Sequence, residues 1–380
     1  MIILGIFLYK ELRTGGHRRY LELMEALAAR GHGVYLLVNE EFSYPFSRVA
    51  PIHLHAPYTH GQKYPVSWMF RKAVKKQVQT IRSKVPHPDW ILIFSETNLA
   101  AALFLKQELS SKILYGHRSN TVRESVFMLQ THKRNPLKSV KYLIDIAKYT
   151  LYERTLARGA DILVFQSEYD RSDFLNRNGK ARDISRVIGG HIGPPWFKKE
   201  TEGINSSTRL ERLLFVGTTG PRKGLRYLLE ALRLLRTRGI GNLTLDVVGP
   251  GGLKNHLEFL DRHGLREQVR FHGRVTDPYP FYKMADLLVV PSVFDSYPNT
   301  VLEALHSGIP VIASSVGGIP EMLKDPELLF PPCDSEALAT ILEKIYLQEE
   351  YYARVRELCQ GLSRFFYFDW AGEWEKLLKS

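Results

Sequence analysis

Cysteine is nearly missing from this chain: Cys333 and Cys359 are the only two in 380 residues. They form no disulfide framework and match no metal-ligand spacing, which fits a reducing compartment such as the cytosol. No run approaches the roughly 18 apolar residues that cross a bilayer. The apolar start, MIILGIFLY, has no basic leader and no small-residue cleavage site, so it reads as a buried first strand rather than a signal peptide. No spaced G-x-G-x-x-G follows that strand, which counts against a nicotinamide cofactor. No Asp-x-Asp pair offers a divalent ion a seat. Acidic charge is scarce in the first half: residues 1–200 hold 31 Lys/Arg against 17 Asp/Glu, a balance of +14 within a total of +12. The second half therefore carries −2. A basic face attracts polyphosphates, anionic lipid or nucleic acid, and no nucleic-acid module is recognisable.

What is present is an ordinary globular composition, 44% hydrophobic and 24% charged, in a chain too long for one core. Two domains are expected. Short apolar runs at Ile2–Leu8, Val34–Val38, Trp90–Phe94, Lys112–Tyr115 and Ile162–Phe165 alternate with amphipathic segments, as in a parallel sheet covered on both faces. The pattern breaks over Ile188–Thr208, which is rich in Gly, Pro and polar residues, and then resumes. Runs at Leu213–Val216, Thr244–Val248, Val269–Phe271, Leu287–Val290 and Val311–Ala313 make a second α/β series. The expected division is 1–190, a linker 191–209, a second domain 210–363, and an aromatic tail with a final helix of about two turns, 364–380, packing back on the first domain. Two doubly wound domains facing across a cleft are the natural architecture.

Four places in the second half carry chemistry. Asp295 and Glu303 lie in a loop and a short helix between two apolar strands, where open α/β sheets bind ligands. The exposed amides that open that helix favour an anionic group such as a phosphate. Arg222 and Lys223 follow Gly217 at a strand end. Cations are disfavoured at a helix N-terminus, so their placement there points to a function, and a diphosphate is the fitting partner. Gly249 follows the next strand, and Arg274 and Val275 the one after; a glycine turn at a strand end lets backbone approach a ligand. In the first half, Thr14-Gly15-Gly16 follows the first strand, and His117 stands at the end of another.

These segments together resemble the retaining glycosyltransferases of family 4, glycosyl transferases group 1, which have the GT-B fold. The resemblance covers most of Leu213–Met322 and is looser in the first half. It implies that Arg222 and Lys223 bind and stabilise the donor's diphosphate. Glu303 would hold the ribose hydroxyls and Asp295 the transferred sugar. Asn299, Thr300 and Val301 would bind phosphate, with Gly217 and Gly249 beside them, and Arg274 and Val275 would frame the base. Gly15 and Gly16 would close over the phosphates, and His117 would stand near the reacting sugar. The family usually has Glu where this chain has Asp295, a side chain shorter by one methylene. The implied activity moves a hexosyl unit from a UDP- or GDP-sugar to a saccharide or lipid-linked acceptor in envelope polysaccharide or glycolipid synthesis, with no cofactor and no metal. Alternatives are a nucleotide-sugar epimerase of like fold and a non-catalytic nucleotide-sugar-binding protein.

Lys63–Lys84 contains seven Lys/Arg and no acid, with Trp68, Phe70, Val74, Val78 and Ile81 interleaved. A second basic segment spans His132–Lys148. Such helices either lie on anionic membranes or pack their apolar side on the sheet and leave a solvated basic face. The expected setting is cytoplasmic, peripheral at the inner face of the membrane.

Overall fold

A computed structural model describes residues 1–12, 15–56, 66–133, 135–192, 207–252 and 254–380. Thr14, Lys63 and most of the expected linker, including Gly193-Pro194-Pro195, lie outside the described residues. The chain divides into two compact units, 1–189 with 369–380, and 190–368.

The first unit holds β1 (Ile2–Phe7), β2 (Gly33–Asn39), β3 (Ala50–Leu54), β4 (Trp90–Ile93), β5 (Lys112–His117), β6 (Ile162–Phe165) and β7 (Ser185–Val187). Their order in the sheet is β3-β2-β1-β4-β5-β6-β7, and every pair is parallel. β4 and β6 are buried on both faces, which is why they read as unbroken apolar runs rather than alternating ones. The helix Glu168–Arg177 starts where Ser167 Oγ accepts from the Asp170 amide at 3.2 Å. The helix Pro136–Gly159 starts at Asn135, whose side chain accepts from Lys138, with Pro136 in the first turn.

The second unit holds β8 (Arg212–Val216), β9 (Thr244–Val248), β10 (Val269–Gly273), β11 (Leu287–Val290), β12 (Val311–Ser314) and β13 (Leu329–Phe330). Their order is β10-β9-β8-β11-β12-β13, again parallel throughout. The helix Leu225–Thr237 buries Leu225, Leu228, Leu229, Leu232 and Leu235, a stripe at helical spacing, in the core of this unit. In both sheets the order reverses once, between β1 and β4 and between β8 and β11. The crevice at the carboxyl ends of such a pair is where doubly wound sheets hold ligands.

The last helix, Trp370–Lys379, is nearly three turns rather than two, and it belongs to the first unit. Asp369 caps it by accepting from the Gly372 amide at 3.0 Å and pairs with Arg30. Trp374 is buried against Phe94, and the Trp90 indole donates to the Leu378 carbonyl at 2.9 Å. The helices Val66–Lys76 and Val78–Lys84 bury Phe70, Val74 and Ile81 in the first unit's core, while Trp68 stays exposed under the Lys72 ammonium. Their apolar side is thus spent on the core.

Candidate active site

The second unit gathers most of the expected residues along the carboxyl ends of neighbouring strands. β8 ends at Val216 and turns through Gly217 into a short 3₁₀ turn, Pro221–Lys223, which places Arg222 and Lys223 immediately before Gly224. Gly224 has φ +71°, and a Cβ there would overlap the Pro291 carbonyl oxygen, so the chain after β8 lies directly on the chain after β11. The two segments are tied by the Val293 amide, which donates to the Arg222 carbonyl at 2.8 Å. One strand over, Gly249 has φ +141°, and a Cβ there would overlap the Gly217 backbone. These close approaches are the reason glycine stands at both positions.

The side chains converge in the same place. Lys223 Nζ donates to Asp295 Oδ2 at 2.6 Å, and the Ser292 hydroxyl donates to the same oxygen at 3.2 Å. Asp295 is 6% exposed, so this is a shielded pair rather than a surface ion pair. Arg222 reaches the Phe294 carbonyl at 3.5 Å with its guanidinium. Glu303 lies in the helix Asn299–His306 and accepts from the Tyr282 hydroxyl at 2.7 Å. Burial first, and Glu303 second, hold that phenol well above its ordinary pKa, so Tyr282 remains a donor. Asn299 and Thr300 open the helix, whereas the Val301 amide donates to the Pro298 carbonyl at 3.2 Å. Arg274 follows Gly273 at the end of β10 and is exposed, and Val275 packs on the core.

Two contributors escaped sequence reading. Ser292 follows Pro291 after β11, and nothing in that pair marks it as a partner of Asp295. Tyr282 lies in the six-residue helix Tyr279–Met284, and nothing in its local pattern points toward Glu303.

The first unit holds His117, Gly15 and Gly16. His117 ends β5, 3% exposed, with its ring against Phe165 at 4.9 Å and near Phe174, and its Nδ1 has no hydrogen-bond partner. Burial, then the nearby Arg177, pushes its pKa down to about 3, so the ring is neutral. Gly15 and Gly16 open the helix Gly15–Ala29, and Gly16 lines a cavity at the carboxyl ends of β1 and β4, the switch point of this sheet. The residues that follow His117, Arg118 and Ser119, line the cavity; His117 is not among its lining residues.

Glu22, on that same helix, is 8% exposed, and neither carboxylate oxygen has a hydrogen-bond partner. Burial pushes its pKa from 4.5 up to about 8, against the opposing pull of Arg19, Arg18 and Arg118. A folded pKa above the unfolded one means a contribution to stability that is complete below pH 4.5 and is lost as pH rises through 8. Glu22→Gln is therefore expected to raise the thermal midpoint at pH 8.5 by on the order of 5 °C and to change it little at pH 4.5. Thermal unfolding at the two pH values checks this; equal shifts at both would contradict it.

Residues 211–348 match the model of the glycosyl transferases group 1 family. This segment is a glycosyl transferases group 1 domain. The chain is 38% identical over 115 residues to an uncharacterized glycosyltransferase of Methanocaldococcus jannaschii, covering 30% of this chain and 29% of the relative. It is 33% identical over 163 residues to the O-antigen chain mannosyltransferase B of Escherichia coli, covering 41% and 42%. The chain thus spans less than half the length of both relatives. Among solved structures, sucrose-phosphate synthase from Thermosynechococcus elongatus matches with a TM-score of 0.75 at 21% identity, over 100% of this chain and 98% of that one. HepE from Anabaena in complex with UDP-glucose matches with a TM-score of 0.74 at 16% identity, over 100% and 98%. The fold is GT-B, built of two Rossmann-like parallel-sheet units.

Proposed function

We propose that the chain is a retaining hexosyltransferase that takes a sugar from a UDP- or GDP-sugar to a saccharide or lipid-linked acceptor, in envelope polysaccharide or glycolipid synthesis. The observation that carries this reading is the convergence of Arg222, Lys223 and Asp295 at the β8–β11 switch point, within the family-matched segment. The likeness to HepE with UDP-glucose and to an O-antigen mannosyltransferase supports the substrate class.

In this reading the bond from the anomeric carbon to the diphosphate breaks, and the leaving oxygen gains negative charge. Arg222 and Lys223, with the first amides of the helix Asn299–His306, neutralise it. They need no reorganisation, because the turn after β8 already fixes them against the loop after β11. These fixed cations serve in place of a divalent ion. Asp295 has one oxygen committed to Lys223 and Ser292 and offers the other to the sugar hydroxyls. Tyr282 orients Glu303 to accept from the ribose. The acceptor hydroxyl attacks from the face the diphosphate leaves, and its proton passes to the departing phosphate oxygen. A panel of UDP- and GDP-sugars in thermal shift, followed by NMR of the product's anomeric centre, tests the reading. Failure of every donor to stabilise the chain, or an inverted product, overturns it; sugar turnover without acceptor would point to an epimerase instead.

A lipid-linked acceptor would bring the enzyme to an anionic membrane, and the helix Pro136–Gly159 is suited to that. Leu137, Val140, Ile144 and Leu151 recur at spacings of three, four and seven, which keeps them on one helix face, and are 84, 56, 61 and 62% exposed, flanked by Lys138, Lys141 and Lys148. Among the described residues no helix is long and apolar enough to cross a membrane, so contact through this face would be interfacial. The chain is expected to co-sediment with phosphatidylglycerol vesicles at low salt, and the triple change of Lys138, Lys141 and Lys148 to Glu to release it. Equal sedimentation of both proteins would remove the membrane from the proposal.

A further inference from the structure

The cavity in the first unit has a volume of about 210 Å³, room for roughly seven water molecules or one pyranose ring. Its walls combine aromatic faces, Phe7 and Phe94 among them, with polar groups whose bonding is incomplete. Asn98 lines it, 2% exposed; its amide nitrogen donates to the Ile6 carbonyl at 2.9 Å, and its Oδ1 has no partner. Arg118 lines it too. Its guanidinium lies over the Phe94 ring at 5.2 Å, and its buried Nε has no hydrogen-bond partner. The terminal nitrogens of Arg118 meet the side-chain oxygen of Gln166, a neutral group, at 3.1 and 3.3 Å.

A buried acceptor and a buried cationic donor, both incomplete and sharing one small cavity, ask for a ligand that supplies both partners. Asn98 Oδ1 requires a hydroxyl, and Arg118 Nε requires an oxygen, best an anionic one. Two carboxyls are near, and burial favours the neutral form of each: Glu22 is pushed up to about 8, and Glu96, which lines the cavity, is raised as well. Glu22 is then largely neutral at pH 7 and does not cancel the Arg118 charge. The helix Gly15–Ala29 begins at this cavity through Gly16 and has no acidic residue in its first turn.

We propose that this cavity binds a hydroxylated ligand bearing an anionic substituent, a sugar or polyol phosphate or carboxylate, with Arg118 on the anion and Asn98 on a hydroxyl. That the ligand is the acceptor of the transfer rests on the hexosyltransferase reading; that the cavity binds such an anion does not.

The experiment uses glucose 6-phosphate and glucose as probes on the full chain, by calorimetry, with and without saturating UDP or GDP. Glucose 6-phosphate is expected to bind at least about tenfold more tightly than glucose. Arg118→Gln should lose that preference, Arg118→Lys should keep part of it, and Lys223→Ala should leave it intact. The proposal is overturned by equal binding of the two probes, by full preference in Arg118→Gln, by loss of preference in Lys223→Ala, or by displacement of glucose 6-phosphate by UDP or GDP, which would assign the anion to the donor. Preference dependent on Arg118 in a chain that binds neither UDP nor GDP would uphold the site while sinking the hexosyltransferase reading.

Discussion

Lys223→Ala is expected to remove the stabilisation by nucleotide sugar and to lower transfer by about a hundred- to a thousandfold. That is the usual cost of deleting one fixed group that stabilises developing charge, on the order of 3 kcal/mol. Two losses combine here. In the proposed reaction the departing diphosphate loses a cation, and Asp295, 6% exposed, loses the ammonium that shares its Oδ2 with Ser292. An uncompensated buried carboxylate is costly, so Lys223→Ala is also expected to lose stability by about 3 kcal/mol. The double variant Lys223→Ala/Asp295→Asn separates the effects. It should regain most of the stability, because no charge is left unpaired, and none of the transfer. Urea unfolding and initial rates on the same preparations measure both. Recovery of transfer in the double variant would mean that Lys223 acts on Asp295 alone and has no part in stabilising the leaving group.

The second unit was the more legible half of the molecule, for a physical reason. Its strands are short, mostly apolar and separated by regular helices, so Leu213–Val216, Thr244–Val248 and Leu287–Val290 stand out as apolar runs. The strands that escaped notice are edges. β3 carries Pro51, tolerated where no neighbour needs the missing amide; β7 reads Ser-Arg-Val; and β13 has two residues. The placement of Arg222 and Lys223 was readable because cations are anomalous at a helix start. What they touch was not, since the Lys223–Asp295 contact spans 72 positions and depends on which strands are neighbours. Tyr282 was invisible for the same reason. His117 shows another limit: a histidine after an apolar strand looks alike whether it faces a ligand or, as here, the rings of Phe165 and Phe174. Arg118, the next residue, turns toward the cavity instead, in keeping with the alternation of side chains along a strand.

Gly224→Ala is expected to disable the site without touching a charged group. Gly224 sits at φ +71°, where an alanine costs about 1–2 kcal/mol in backbone energy alone. Its Cβ would also overlap the Pro291 carbonyl oxygen, and backbone cannot swing aside as a side-chain tip can. Relief of that overlap must move the turn holding Arg222 and Lys223 away from the loop holding Asp295, or distort both. With about 1–3 kcal/mol for the forced packing, the total loss of stability should be about 2–5 kcal/mol in urea unfolding of the full chain. Because the bond from the Val293 amide to the Arg222 carbonyl bridges the same two segments, the shift should reach the side chains of Arg222 and Lys223 directly. A displacement of an ångström at a fixed charge costs about a hundredfold in rate. Transfer should therefore fall by about that factor even under conditions where the variant is fully folded. A control at Gly220, where a Cβ meets nothing within 4 Å and φ is −71°, should leave both stability and rate near the wild-type values. Equal damage from Gly220→Ala and Gly224→Ala would show that the turn is sensitive to side chains in general, and that the contact between Gly224 and Pro291 does not set the geometry of the site.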